Sequence, residues 1–175
     1  GFTIVELDGS TEVDESGTTD TFTVVLDAQP SDNVVIAMSS SDTGEATISG
    51  TISFTPANWD TPQTVTVTGV DENTIDGDQT STVTITIVDS ISDSDFSNVA
   101  DQTVSVVTTD DDVAGFTIEE TDGSTEVDES GTTDTFTVVL DAQPTSDVVL
   151  TITSDDTGEA TVNSPLTFTP ANWDT

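Results

Sequence analysis

The chain has 175 residues, 35 of them Asp or Glu and none Lys, Arg, His or Cys, so its formal charge is −35. With no basic side chain to neutralise phosphate, it is not expected to bind nucleic acid, anionic membrane surfaces or phosphate-bearing substrates. Side-chain ion pairs, disulfides, thiolate metal sites, thiol nucleophiles and His or Lys general bases are excluded as well.

The hydrophobic fraction is 32 %, near disorder statistics at this charge. The order of the apolar residues points instead to a folded chain. They alternate with polar neighbours, the mark of half-buried strands. Phe2 and Ile4 open strand A. Phe22, Val24 and Leu26 form B, and Val34, Ile36 and Met38 form C. Ala46, Ile48, Ile52 and Phe54 fall in D, where a slip at Gly50 predicts a bulge. Val65 and Val67 mark E, Val83, Ile85 and Ile87 mark F, and Val104 and Val106 mark G. Most of the intervening residues are Thr and Ser, and Thr is β-branched and favours strands. No helical period of comparable length occurs. No apolar run reaches the roughly 18 residues of a membrane span, so membrane insertion is not expected.

The motif GFTI at Gly1–Ile4 returns 114 residues later at Gly115–Ile118, and 45 of the 61 positions of 115–175 are identical to those of 1–61. That period is too long for a solenoid repeat and suits one domain per copy. The reading is all-β: an immunoglobulin-like seven-stranded β-sandwich in tandem repeats of 114-residue period, one complete copy at 1–114 and a second at 115–175 truncated after strand D. Four strands alone would expose half a core, so E, F and G of the second copy are expected in a longer protein, or a neighbouring chain completes the copy.

Strand parity gathers the acids. If strand A starts at one pole, the AB, CD and EF connections and the exit of G lie at the other. Those segments carry Asp14 and Glu15; Asp42 and Glu45; Asp71, Glu72, Asp76 and Asp78; and Asp110, Asp111 and Asp112. Two carboxylates about 4 Å apart repel by roughly 1 kcal/mol in water and about 4 kcal/mol at an effective dielectric of 20. With no basic side chain available, protons or cations must offset this. Ca²⁺, which takes oxygen ligands in flexible geometry, is the natural cofactor, whereas zinc wants N or S donors and Mg²⁺ keeps its waters.

The acidic segments resemble those of Calx-beta domains, the calcium-binding sandwiches of sodium/calcium exchangers that also occur in tandem in large bacterial surface proteins. The family's turn acid is matched by Glu15 of DESG, and the acid after the third strand by Asp42 of SSSDTGEA. Its acidic pair with a further acid is matched by Asp71, Glu72 and Asp76, and its closing acidic run by Asp110, Asp111 and Asp112 of DDDVAG. Asn73 stands where the family often has another acid. The resemblance implies calcium ligation by these residues and by Glu129 and Asp156 of the second copy. Asp78 is an added candidate from the EF connection, whereas Asp14 and Glu45 are expected to face water. The acids elsewhere, Asp93 among them, are assigned to turns and solubility. Trp59 is expected to plug the end of the sandwich rather than serve as a sugar platform.

The resulting expectation is not an enzyme. It is a calcium-braced extender of a long extracellular adhesin or cell-surface filament, secreted by a bacterium of a salty, marine habitat. Its partners would be neighbouring repeats, with self-association into filaments as a further possibility. The alternatives are a module binding a glycan or surface ligand through the opposite pole and Trp59, and a calcium sensor.

Overall fold

The computed structural model describes residues 1–175 and divides into two compact units. The first is 1–72 with 76–111; the second is 73–75 with 112–175.

Nine strands build the first unit: β1 (Phe2–Glu6), β2 (Thr11–Asp14), β3 (Thr19–Leu26), β4 (Val34–Ser40), β5 (Ala46–Ile48), β6 (Ile52–Phe54), β7 (Gln63–Gly69), β8 (Gln79–Ile87) and β9 (Gln102–Thr109). One sheet has the order β1-β3-β7-β5 and the other β2-β9-β8-β4-β6. Neighbours are antiparallel except β2 and β9, which run parallel with Thr11 opposite Val106 and Asp14 opposite Thr109. The period-2 residues interdigitate between the sheets. Phe22, Val24, Val34, Ile36, Phe54, Val65, Val67, Val83, Ile85 and Val106 have no measurable exposure. Trp59 packs half-buried against this core, and its carbonyl accepts the Leu26 N–H at 3.2 Å.

The seven strands of the alternation are present, but D is cut in two, and a further strand, β2, lies where the alternation predicts the connection between A and B. Strand A is β1, which pairs with β3, and the chain then crosses to the second sheet as β2. The crossing turns at Gly9, whose φ of +84° suits a residue without Cβ. The slip at Gly50 is likewise a change of sheet rather than a bulge. Before it β5 pairs with β7, and after it β6 pairs with β4.

The long connection from β8 to β9 carries two short 3-10 turns, Asp89–Ile91 and Ser94–Phe96. Asp93 stands between them, 6 % exposed. Its carboxylate accepts from Ser31 N (2.6 Å), Ser31 Oγ (2.8 Å), Asp32 N (2.9 Å) and Asp95 N (2.9 Å). This knot ties that connection to the one between β3 and β4. The Asp95 N–H and the Ser31 and Asp32 donors favour the charged form and hold the carboxyl down at about 2.

The second unit contains the pairs β10 (Phe116–Glu120) with β11 (Phe136–Leu140) and β12 (Val148–Leu150) with β13 (Leu166–Phe168). Its core is small: Val138, Leu140 and Phe168, with Phe136, Val148, Leu150, Leu166 and Trp173 packed around them. Residues 115–175 align with 1–61 and include no counterpart of β7, β8 or β9. Accordingly Phe116 is 52 % exposed where Phe2 is 3 % exposed. The stretch 125–128 repeats the sequence of β2 but is not a strand, because the partner of β2 is β9.

Phe22→Ala should therefore destabilise the first unit by about 3–5 kcal/mol, the range for emptying a buried aromatic site. The same change at its half-buried counterpart Phe136 should cost clearly less. Urea unfolding followed by circular dichroism tests both, and equal costs would contradict the packing described.

Candidate metal centre

The inward-facing positions lose apolar character as the strands approach one pole. On β8, Ile87, Ile85 and Val83 give way to Ser81, and on β9, Val104 and Val106 give way to Thr108. From β2, Thr11 and Val13 lead to Glu15, and each of these residues is buried. Alternation thus carries the carboxylate of Glu15 into the end of the sandwich. Its backbone is pinned on both sides. Glu15 N donates to Thr109 O at 3.2 Å, and the preceding Asp14 N donates to Thr18 Oγ1 at 2.7 Å. The turn closes through Ser16 N on Asp14 Oδ1 (2.9 Å) and Gly17 N on Asp14 O (3.1 Å), with Gly17 at φ +88°.

Glu15 has no exposed surface, and neither carboxylate oxygen has a hydrogen-bond partner. A carboxylate in that position normally finds donors. Here, oxygens of Glu15, Glu72 and Asp76 all lie within 4.8 Å of one another, and Asp110 has an oxygen equally close to Glu15. Burial first, and then the charges of Asp110, Glu45, Glu72 and Asp76, push the Glu15 carboxyl up to about 7. Glu45 is raised for the same reasons, burial ahead of Asp76, Asp42, Glu72 and Asp110. Asp14 is lowered instead, by the Ser16 hydroxyl and N–H and the Thr109 hydroxyl.

The remaining acids surround this group in different ways. Asp42 is exposed, and its Oδ1 accepts the Gly44 N–H at 2.9 Å. Asp71 is exposed on the connection that presents Glu72. Asp110 Oδ2 accepts Gly77 N at 2.7 Å, and Asp78 Oδ1 accepts Asp110 N at 3.3 Å, so Asp78 fastens the β7–β8 connection to the exit of β9. Asp111 is exposed, and Asp112 is the first residue of the C-terminal stretch of the second unit. Glu129 and Asp156, in that unit, are exposed. The structure adds Glu45, which the sequence reading leaves to water. It is half-buried, with Oε2 enclosed and without a partner, while its carbonyl accepts Val70 N at 2.9 Å. No periodic signal marks it, since it lies in a turn.

The donor set is entirely carboxylate, with hydroxyls behind it, and the chain holds no basic side chain. Hard oxygen donors without nitrogen or sulfur fit an ion of the calcium type. The enclosed, unpartnered oxygens of Glu15 are those a cation would satisfy.

No protein-family model and no curated protein matches the chain. Its solved structural neighbours include the chaperone DraB of E. coli, at 6 % identity and a TM-score of 0.46, covering 66 % of this chain and 58 % of that one. Another is the calcium binding domain CBD12 of CALX1.1, at 18 % and 0.45, covering 68 % and 48 %. A third is the apo form of the Calx CBD1 domain, at 13 % and 0.41, covering 63 % and 98 %. The chain thus spans less than two thirds of the length of the first two.

In chelator, the stability of the first unit should peak near pH 4–5. The unfolded Glu15 ionises at about 4.5, whereas the folded one holds its proton to about 7. The folded state therefore binds more protons between these values, and stability falls as pH rises through them. Asp93 acts in the opposite sense. Its contribution is full above 3.8 and is lost as pH falls towards about 2. Melting temperatures from pH 2 to 8 test this, and Glu15→Gln should shrink the upper limb, to which Glu45 also contributes, and leave the lower one unchanged. Stability that still climbs from pH 5 to 7 would refute the burial of an ionisable Glu15.

Proposed function

We propose that this protein is a calcium-binding structural repeat whose acidic pole is stabilised by Ca²⁺, and that it serves as a stiff extender in an extracellular adhesin or surface filament. The observation that carries the calcium assignment is Glu15: buried, without a hydrogen bond on either oxygen, and ringed by carboxylates in a chain without basic side chains. Glu15, Glu72, Asp76 and Asp110 would hold the ion, with Asp42, Glu45, Asp71, Asp111 and Asp112 adding ligands or field. In the second copy, Glu129 and Asp156 would take the corresponding places once that pole is assembled.

The bound ion supplies the positive charge that the side chains lack. The chain's own part is to hold four connections on one pole. Extracellular calcium modules have dissociation constants of about 10⁻⁴–10⁻³ M. At ambient calcium of about 10–100 times that constant, each ion adds roughly 1.4–2.7 kcal/mol. The extender role is supported by the repetition of GFTI at a fixed spacing and by the short stretch Val113-Ala114-Gly115 between the last acids and β10. Ordering Asp110–Asp112 would fix the backbone from which the next repeat departs. The high negative charge would keep a long array soluble in salt water.

Addition of millimolar calcium should raise the melting temperature of the first unit by several degrees, and chelator should reverse the shift. Asp76→Asn should weaken binding about tenfold or more in isothermal titration calorimetry. Identical melting in calcium and chelator, with no heat of binding, would defeat the calcium reading.

A further inference from the structure

Gly69 ends β7 two residues before Asp71 and three before Glu72. Its φ is not in the left-handed region, so a positive φ is not what requires glycine there. Space is what requires glycine. A Cβ at this position would collide with the backbone of Asp14, meeting its carbonyl oxygen first, its carbonyl carbon at 2.9 Å and its nitrogen at 3.3 Å. β7 belongs to one sheet and β2 to the other, so this is a close approach of the two layers at the acidic pole. Adjacent hydrogen bonds draw the same place together. Gly69 N donates to Thr18 O at 3.0 Å, and Val70 N donates to Glu45 O at 2.9 Å. One dipeptide thereby joins the start of the β7–β8 connection to the β2–β3 turn and to the β4–β5 turn. The residue that follows Asp14 is Glu15.

We propose that Gly69 is a positioning residue of the cation site: the missing side chain lets β7 close against the Asp14 backbone, and this sets the carboxylate of Glu15 beside those of Glu72 and Asp76. The proposal deepens the calcium reading and rests on it for its link to affinity. A methyl group at 69 cannot be absorbed by a flexible neighbour, because the obstacle is peptide backbone. It must push β2 and β7 apart, and Glu15 moves with Asp14. Gly50 provides the contrast, since a Cβ there meets nothing within 4 Å.

The test compares Gly69→Ala with the parent protein and with Gly50→Ala in two measurements. Calcium dissociation constants are read by calorimetry at 10 °C in sucrose, which favours the folded state, after circular dichroism shows each protein folded in chelator. Crystal structures of the calcium-free proteins give the separation of the Glu15 and Glu72 carboxylates. The expected result is a dissociation constant raised about 10–100-fold in Gly69→Ala, unchanged in Gly50→Ala, with the Glu15–Glu72 separation widened only in the former. An unaltered separation overturns the proposal whatever calcium does. An unaltered dissociation constant beside a parent that binds calcium also overturns it. A widened separation in a protein whose parent takes up no calcium upholds the positioning and removes the calcium reading instead. If Gly69→Ala stays unfolded in both chelator and calcium, Gly69 is a folding residue and the proposal falls.

Discussion

A buried carboxylate with nothing to hydrogen-bond it is the constraint around which this domain is arranged. Glu15 is enclosed at the end of the sandwich, with both oxygens unsatisfied. Most proteins would answer such a group with Arg, Lys or a cluster of backbone N–H donors. The sequence contains no Arg or Lys, and the nearby N–H donors are committed elsewhere: Ser16 N to Asp14, Gly44 N to Asp42 and Gly77 N to Asp110. What remains is a proton or an external cation. The choice between them sets the state of the whole pole, because the surrounding acids act on Glu15 and on one another.

Strand parity explains why these acids meet. Residues as distant in sequence as Glu15 and Asp110 approach because both follow strands running in the same direction, β2 and β9, which are parallel neighbours. The turns after β4 and β7 arrive at the same end through the antiparallel ladders. The opposite pole is held by different means. There Asp93 satisfies four donors at once and is charged because of them. Two buried acids in one domain thus have opposite electrostatics. Asp93 is stabilised by the chain itself, whereas Glu15 depends on something outside it.

Much of this was legible in the sequence, and the limits have physical causes. Alternation identifies which residues face the core, and all-β architecture follows from it. It does not say which sheet a segment joins, since the period is the same in both. For that reason the change of sheet at Gly50 reads as a bulge, and β2, with Val13 as its single apolar residue, reads as part of a connection. Convergence of the acidic connections followed from parity, but the burial of Glu15 beyond its neighbours did not, because a turn acid looks alike whether it points inward or outward. Glu45 and the donors of Asp93 were hidden for a related reason. The Ser31–Asp93 contact spans 62 positions, and no local pattern encodes a partner at that distance.

The repeat separates what a segment carries from what an assembled pole creates. Asp8–Pro30 and Asp122–Pro144 have the same sequence. In both, the Asx-type turn is built alike: Ser16 N donates to Asp14 at 2.9 Å and Ser130 N to Asp128 at 2.8 Å. Yet Glu15 is fully buried and Glu129 is exposed. The local turn therefore forms from local residues, while the enclosure of the glutamate requires the strands that bring the other three connections to it. A cation held by such a group binds only the assembled sandwich. Its binding free energy then adds directly to the stability of that assembly, since the unassembled segment offers no comparable set of ligands.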